Sequence, residues 1–385
     1  MSVPDSLPFP IAGFQVIVNA ENEWVALSLH LPLEGTDTAA ALAALFGQED
    51  VFQAIAPLAC VIALADPHPL PSSTLELLPA ERTVFRISPS ACAATQEQYD
   101  RMAGAGYRIL SDCASAAQVD GRGTTFDCAP LGLPAGIVRA LPGPHLARNV
   151  GSGAQLAACR AAGFTWFSGS FSLLPARIGA SVEDGTSRKR LLALLGLLAR
   201  DADSRELEML LKQDPALSYH LLKLVNSAAL TLSAPIRSFG QAINLLGRRQ
   251  LRRWLQLLLY ARQGDGVANP LLPIAAMRAA QMEALCRSKQ GDQDQQEIAY
   301  MAGMFSLLDV LLDMPMGDVL SALSLDPDVV MALLERSGPL GQLLALVESG
   351  VATPAALNNI GIGPATYWHS LLHAYHCAIE VSRNL

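Results

Sequence analysis

The stretch that decides the fold of the second half is QDPALSYHLLKLVNSAALTLSAPIRSFGQAINLLG, residues 213–247. Asp214-Pro215 predicts a helix start, because Asp is a favoured N-cap and Pro fits the first helical position. Asn226-Ser227 predicts the end of that helix, and Ser238 with a Gln three residues later predicts a second start through a capping box. Gly247 suits a left-handed helix stop. We interpret these residues as caps that set how helices enter a bundle, with ligand contact as the alternative.

Around this stretch, from about Ser187 onward, the apolar pattern has helical periodicity only. A nearly continuous Leu/Ala segment predicts a helix buried on most of its surface. The polar segment Ser288–Gln296 predicts a loop. The predicted helices flanking the stretch are Arg188–Ala199, Ile274–Lys289, Glu297–Leu312, Pro327–Ser337, Leu340–Glu348 and Ala365–Arg383.

The first half of the chain has short β-branched segments that alternate with helical ones. Such alternation predicts parallel strands with crossover helices. Eight strands allow a (β/α) barrel, but the connections are too brief for a full ring of eight helices, so we expect a trimmed barrel. The predicted strands are Phe14–Val18, Trp24–His30, Cys60–Ala65, Thr83–Ile87, Tyr107–Leu110, Thr124–Asp127, His145–Arg148 and Phe164–Phe167.

The composition limits the classes of function. Of 385 residues, 51% are hydrophobic and 16% charged, with a net charge of −8, which excludes a global basic field for nucleic acid. The apolar runs are shorter than the ~20 residues of a membrane span. The first basic residue is Arg82, so no charged leader is expected, and the seven cysteines lack a CxxC pair. The sequence therefore predicts a cytoplasmic protein without a zinc or disulfide framework.

The motif of spaced residues in 213–247 resembles the HDOD domain. That family is related to HD-type phosphohydrolases, including HD-GYP proteins, but generally lacks their catalytic residues. The resemblance implies a structural or interaction role for its signature residues, which are Asp214, Pro215, Leu217, Asn226, Ser227, Ser238, Leu246 and Gly247. The whole layout is similar to the family that couples an EAL-related domain to an HDOD domain. We therefore expect an α/β plus all-α protein, with a degenerate, trimmed EAL-like barrel at 1–178 and an all-helical HDOD domain at 187–385.

The resemblance to EAL phosphodiesterases implies a site for cyclic di-GMP, two metal ions held by strand-end carboxylates, and a Lys near the attacking water. This sequence departs from that pattern at most positions. Only Asp112 and Asp127 remain acidic, and the expected Lys is missing near Thr125–Cys128. Ser28 stands where the family has a Glu, Arg86 where it has a metal-binding acid, and Cys113 where it has the second Asp of a pair. Gly151 stands at a further Glu position, and Ser168 at a Gln position.

Neither implied metal site is complete. Two acids cannot hold two divalent cations, and an Arg at a ligand position repels them. In the second half, Ser306 and Leu307 occupy the place of the His-Asp pair that HD-type enzymes use. The sequence therefore predicts no catalytic residue, no metal and no cofactor.

One basic cluster remains, in Arg248, Arg249, Arg252 and Arg253, with Trp254 beside it. Its arginines form two i, i+4 pairs on a helix. One interpretation is a solvated helix face that pairs with the acidic N-terminal half of the protein. The alternative is a docking patch for an acidic partner or a nucleic acid, although nucleic acid is the less favoured ligand.

These observations predict a catalytically inactive bacterial signalling protein, an interaction module linked to cyclic di-GMP or two-component signalling. The alternatives are a non-catalytic cyclic di-GMP receptor and a residual cyclic di-GMP phosphodiesterase. The resemblance implies signalling proteins as partners, namely a sensor kinase, a response regulator or a cyclic di-GMP enzyme.

Overall fold

The computed structural model describes residues 9–31, 37–47, 50–64, 70–87, 100–112, 123–131, 143–173, 182–200, 202–211, 239–260, 269–321, 323 and 325–384. Eight strands close into a barrel in sequential order. They are β1 Gly13–Val18, β2 Trp24–His30, β3 Ala59–Leu64, β4 Thr83–Ile87, β5 Arg108–Asp112, β6 Gly123–Asp127, β7 Leu146–Arg148 and β8 Trp166–Phe167. The helices of this half are α1 Thr38–Phe46, α2 Val51–Ala54, α3 Ser72–Leu75, α4 Cys128–Leu131 and α5 Gly153–Ala162.

The prediction that the strands are parallel is wrong for β1. From β2 to β8 all neighbours are parallel, but β1 lies antiparallel to both β2 and β8. The reason is the connection between β1 and β2, which is only Asn19–Glu23, because a parallel pair needs a crossover of about a dozen residues or more. The Asn19 side chain accepts the backbone N–H of Glu23 at 2.9 Å and shapes this turn.

Helices make up the rest of the described chain. Three come first, α6 Val182–Ala199, α7 Ser204–Leu211 and α8 Phe239–Leu259. The eight that follow are α9 Leu271–Ser288, α10 Gln293–Phe305, α11 Leu308–Leu312, α12 Met316–Ser321, α13 Pro327–Glu335, α14 Gly338–Glu348, α15 Pro354–Ile360 and α16 Pro364–Asn384. Gly247 has φ 72° and ψ 159°, so α8 consists of two helical segments on either side of a break.

Two helix predictions are corrected by local chemistry. The predicted polar loop contains the start of α10, because Asp292 and Gln295 form a complete capping box. The predicted helix Glu297–Leu312 is two helices. The Ser306 hydroxyl donates to the Gly303 carbonyl oxygen at 2.8 Å, and Leu307 leaves helical geometry with φ −121° and ψ 16°. The predicted domain boundary between 178 and 187 stays a prediction, since residues 174–181 lie outside the described residues.

The outer face of β1 packs on the last helix, α16. The Phe14 ring lies 5.1 Å from Trp368 and 5.5 Å from Tyr375, measured between ring centroids, and Trp24 lies 5.7 Å from Tyr375. Gly13 lets the backbones approach, because a Cβ there would lie 2.6 Å from the Gly350 carbonyl oxygen. One hydrophobic cluster therefore runs from the barrel into the helices.

No single described helix is long and apolar enough to cross a membrane. The bent pair formed by α13 and α14 passes that test when its two helices are taken together, by length and composition.

Candidate functional site

Five side chains at the carboxyl ends of strands form a polar group at one end of the barrel. Carboxyl ends of parallel strands share one edge of a barrel, where loops and ligands of such folds meet. The side chains alternate along each strand, so that every second residue faces the lumen. We call this group the barrel-mouth cluster; its members are His30, Arg86, Asp112, Asp127 and Arg148.

Arg148 is the centre of the cluster. One of its terminal nitrogens lies 3.0 Å from an Asp112 carboxylate oxygen, and the other lies 3.2 Å from Asp127. Its Nε donates to the Thr125 hydroxyl at 2.8 Å. The three side chains of this ion-pair system are 19–30% exposed, so the guanidinium is held in a half-buried position with a fixed orientation.

Further hydrogen bonds hold the two carboxylates. The Thr125 hydroxyl donates to Asp112 at 3.2 Å. Asp127 accepts the side-chain amide of Asn149 at 2.9 Å and the backbone N–H of Ala129 at 3.0 Å. The ends of β5, β6 and β7 are thereby linked at the side-chain level.

Arg86 and His30 complete the cluster, and its positive charges affect the pKa values of both side chains. Burial lowers the pKa of Arg86, the nearby charge of Arg148 lowers it further, and Asp112 and Asp127 act in the opposite direction. Loss of hydration lowers the pKa of His30, and the charges of Arg86 and Arg148 add to this effect. His30 Nε2 lies 3.4 Å from the side-chain oxygen of Gln15 on β1. Among the described residues, the barrel-mouth cluster therefore holds two guanidiniums beside two carboxylates.

Below the mouth the lumen is filled by apolar side chains. Its members form one buried cluster, Ile17, Ala26, Ala59, Val61, Val84, Leu110 and Leu146. A ligand at this end of the barrel therefore meets a polar surface on a solid apolar floor rather than a channel.

The described residues do not fit a pair of divalent cations. Among them, no group of three or more His, Cys, Asp and Glu side chains is placed to hold a metal ion. The two carboxylates of the mouth are both engaged by Arg148, and Arg86 adds a second positive charge. Cations prefer oxygen ligands without competing positive charge, so this donor set disfavours them.

At the predicted HD-type position, Ser306 is bonded to an arginine network. Arg278 is 7% exposed and donates to the Ser306 hydroxyl at 2.9 Å and to Glu348 at 3.1 Å. Arg336 pairs with the same Glu348 at 2.7 and 2.9 Å. Burial lowers the pKa of Arg278, and Glu348 opposes that shift. Leu307, the second residue of the predicted pair position, is buried in the core.

The predicted docking arginines make intramolecular contacts, and the acidic partners of Arg249 and Arg253 are Glu283 and Glu297 of the helical half rather than residues of the acidic N-terminal half. Arg253 bonds to Glu283 at 2.9 Å and to Glu297 at 2.6 Å, with its guanidinium 4.2 Å from the Tyr300 ring centroid. Arg249 also pairs with Glu297.

The other members of the patch lie against the helices α6 and α7 or in the core. Arg248 donates to the carbonyl oxygen of Ala202, and Arg252 to that of Leu198 at 3.2 Å. Trp254 is buried. The role of this surface in docking stays a prediction.

Most of the predicted HDOD signature lies outside the described residues. Those residues are Asp214, Pro215, Leu217, Asn226, Ser227 and Ser238. Leu246 and Gly247 lie in α8, at the break that Gly247 makes.

Sequence reasoning brought Arg86, Asp112 and Asp127 forward but missed His30 and Arg148. Both missed residues are the last residue of a predicted strand, and the end of a parallel barrel strand is where functional side chains of such folds lie. Ser28, Ser168 and Gly151 do not contact the cluster through any hydrogen bond between described residues.

Comparison with known proteins finds a family match within the second half of the chain. The model of the HDOD domain matches residues 189–312. The chain is 34% identical, over 203 residues, to the cyclic di-GMP phosphodiesterase CdgJ of Vibrio cholerae, a match that covers 53% of this chain and 47% of that protein. It is 32% identical over 191 residues to the uncharacterized protein YuxH of Bacillus subtilis, covering 48% and 46%. The chain thus spans about half the length of the curated relatives it matches.

Solved structures with similar regions are distant. A standalone EAL protein of Vibrio cholerae O395 in its c-di-GMP-bound form matches with 15% identity and a TM-score of 0.33, over 43% of this chain and 91% of that one. The Bacillus subtilis YkuI protein, with an EAL domain in complex with c-di-GMP and calcium, matches with 14% identity and a TM-score of 0.32, over 42% and 53%.

The relative CdgJ corrects two predictions, that the protein is an inactive interaction module and that it is not an enzyme. Both rested on acidic positions missing from an expected pattern, and a protein named as a cyclic di-GMP phosphodiesterase shares 34% of the aligned residues. Missing positions do not establish inactivity, because the segments after β4 and β5 contain further acids, Glu97 and Asp120, outside the described residues. The match to the HDOD domain model lies in the helical region that follows an eight-stranded barrel.

Proposed function

We propose that the protein acts in cyclic di-GMP signalling and binds cyclic di-GMP at the barrel-mouth cluster. The observation that carries this proposal is the pair of guanidiniums of Arg86 and Arg148 at the carboxyl ends of β4 and β7. Cyclic di-GMP has two phosphodiester groups, and planar guanidiniums bind such anions through paired N–H donors. The similarity to a relative named as a cyclic di-GMP phosphodiesterase supports the choice of nucleotide.

The remaining polar groups suit the rest of such a ligand. The Gln15 amide and the His30 ring lie at the same end of the barrel, 3.4 Å apart, and offer donors and acceptors for a base or sugar. Asn149 is exposed and bonded to Asp127, at the rim of the mouth. The apolar floor keeps these groups at the surface, so the ligand binds across the mouth.

Calorimetric titration of the full chain with cyclic di-GMP tests the proposal. We expect saturable heat with cyclic di-GMP and weaker binding of cyclic di-AMP. Arg148→Gln should weaken cyclic di-GMP binding by at least about tenfold, because it removes one charged donor group and leaves two carboxylates facing the anion. Arg108→Gln is the matched control, because it removes the same charge from the amino end of β5, where Arg108 donates to the backbone carbonyl oxygen of Glu81 at 3.1 Å. Absence of heat with cyclic di-GMP would reject the proposal.

Hydrolysis is the second candidate, and the name of the relative CdgJ is the observation that favours it. The assay is chromatographic detection of the linear dinucleotide after incubation of purified protein with cyclic di-GMP. Asp112→Asn and Asp127→Asn should reduce turnover if the mouth is the reaction site. Turnover that both variants retain in full would place the reaction elsewhere in the chain.

The predicted protein partners and the predicted cytoplasmic location also remain proposals. We propose that a signalling protein contacts the surface near Arg249 and Arg252. Reversal of both residues to Glu should abolish capture of that protein, with thermal unfolding of the variant as the control, because Arg249 also pairs with Glu297. Capture retained by a folded variant would remove this surface from the proposal.

A further inference from the structure

We propose that the guanidiniums of Arg86 and Arg148 take the place of metal ions at the barrel mouth, so that a phosphodiester ligand binds without divalent cations. This inference rests on the proposed function, because it concerns how cyclic di-GMP is held. The resemblance to EAL phosphodiesterases implies a pair of metal ions at the mouth, but the side chains described there do not fit such a pair.

The charge of the cluster is already balanced before any ion binds. Arg148 lies 3.0 Å from Asp112 and 3.2 Å from Asp127, so one guanidinium serves both carboxylates. A cation that bound these carboxylates would have to displace Arg148 or share its position against charge repulsion. Arg86 lies on the neighbouring strand β4, within the electrostatic influence of the same two carboxylates, and its positive charge adds to that repulsion. The described side chains of the cluster therefore disfavour a cation at this position.

The same arrangement leaves the mouth receptive to an anion. A guanidinium has five N–H donors, and the described contacts of Arg148 to Thr125, Asp112 and Asp127 use one each. The remaining donors lie on a planar group whose orientation those three bonds fix. Ordered donors lose little freedom when a ligand binds, which favours affinity.

Arg86 supplies the second positive group. It lies on β4, across the mouth from Arg148 on β7, and the charge of Arg148 acts on it. The two guanidiniums repel each other because they share one end of the barrel. A phosphodiester bound between them would attract both. Arg86 therefore gains more from an anion than an isolated surface arginine does.

The experiment is a calorimetric titration of the full chain with cyclic di-GMP, in buffer with EDTA and in buffer with Mg²⁺. We expect the two dissociation constants to agree within about threefold, since no cation takes part. Arg86→Gln should weaken binding in EDTA by at least about tenfold, whereas Arg108→Gln should leave it unchanged within about twofold. Arg86→Lys keeps the charge but loses the paired donors, and should give an intermediate affinity.

The outcomes separate this inference from the proposed function. Binding in Mg²⁺ that EDTA abolishes would overturn the inference and leave the proposed function intact. Equal affinity of Arg86→Gln and the unchanged protein in EDTA would also overturn it. No binding in either buffer would reject the proposed function, and the inference with it. Thermal unfolding of each variant without ligand shows that it is folded, and a rise in Tm with cyclic di-GMP in EDTA gives a second measure of binding.

Discussion

The hydroxyl of Tyr375, near the end of the chain, donates a hydrogen bond of 3.1 Å to the carbonyl oxygen of Phe14 in the first strand. Both residues are buried, and their rings pack edge to face. The contact joins the barrel to the helical half across a separation of 361 residues. The two halves therefore share a specific polar contact inside their common apolar core.

Replacement of Tyr375 by Phe should reduce the free energy of unfolding by about 1 kcal/mol, because a buried carbonyl oxygen loses its donor while the ring packing stays. Urea unfolding followed by tryptophan fluorescence measures the change. Tyr107→Phe is the control, because it also removes a tyrosine hydroxyl but one whose bonds lie within the barrel half. That hydroxyl bonds to the Leu75 and Leu78 carbonyl oxygens at 3.0 and 2.9 Å. An unchanged midpoint for Tyr375→Phe would show that the bond adds nothing to stability.

His30 should make the protein less stable in mild acid. Its pKa is lowered in the folded state by lost hydration and by Arg86 and Arg148, so the folded protein binds this proton less readily than the unfolded chain. Stability linked to His30 is therefore present above about pH 6.5, the ordinary value, and is lost as pH falls through the lowered pKa. His30→Gln should show a smaller drop in urea midpoint between about pH 7.5 and about pH 5.5 than the unchanged protein. Equal drops would contradict the prediction.

The buried Arg278 should be among the more sensitive positions of the helical half. Arg278→Met leaves the Ser306 hydroxyl without this donor and Glu348 with Arg336 as its remaining partner, and we expect a loss of about 3 kcal/mol in unfolding free energy. Arg287→Gln removes a largely exposed guanidinium that also pairs with a glutamate, Glu283, and should change stability by less than about 0.5 kcal/mol. Guanidinium chloride unfolding of both variants decides the matter, and equal effects would argue against the burial of Arg278.

Gly303 should not tolerate a side chain. A Cβ at this position of α10 would lie 2.6 Å from the backbone N and Cα of Ala279 in α9, so the two helices would have to separate. We expect Gly303→Ala to lower the unfolding free energy by about 1–3 kcal/mol. Gly317→Ala in α12 meets no atom within 4 Å and should be neutral or stabilising by up to about 1 kcal/mol. Calorimetric Tm values for the pair give the comparison, and a stable Gly303→Ala would show that the helices can yield.

Much of the architecture could be predicted from local patterns. Thr83–Ile87 and Trp24–His30 were predicted with the same bounds as β4 and β2, because alternating or continuous apolar segments between turns mark strands well. Closure into a barrel followed from their number and order. The hairpin of β1 did not follow from the overall alternation, although the short Asn19–Glu23 connection carried that information.

The candidate site was harder to predict because its chemistry depends on residues far apart in sequence. Asp112 and Arg148 are 36 residues apart and meet only when β5, β6 and β7 lie side by side. From the sequence, Arg86 indicated only the loss of a ligand, since its neighbour Arg148 was not visible as a site residue. The positive pair emerges only when the ring of strands is closed.

The packing of β1 against α16 has a consequence for how the protein is made. During synthesis Phe14 leaves the ribosome hundreds of residues before Tyr375 and Trp368, so its outer face lacks its final cover until the last helix has been translated. The barrel can form its strand pairs early, but the apolar outer face of β1 stays exposed to solvent. Completion of this packing therefore waits until α16 has left the ribosome, and nascent chains that stop before α16 should depend on chaperones for their solubility.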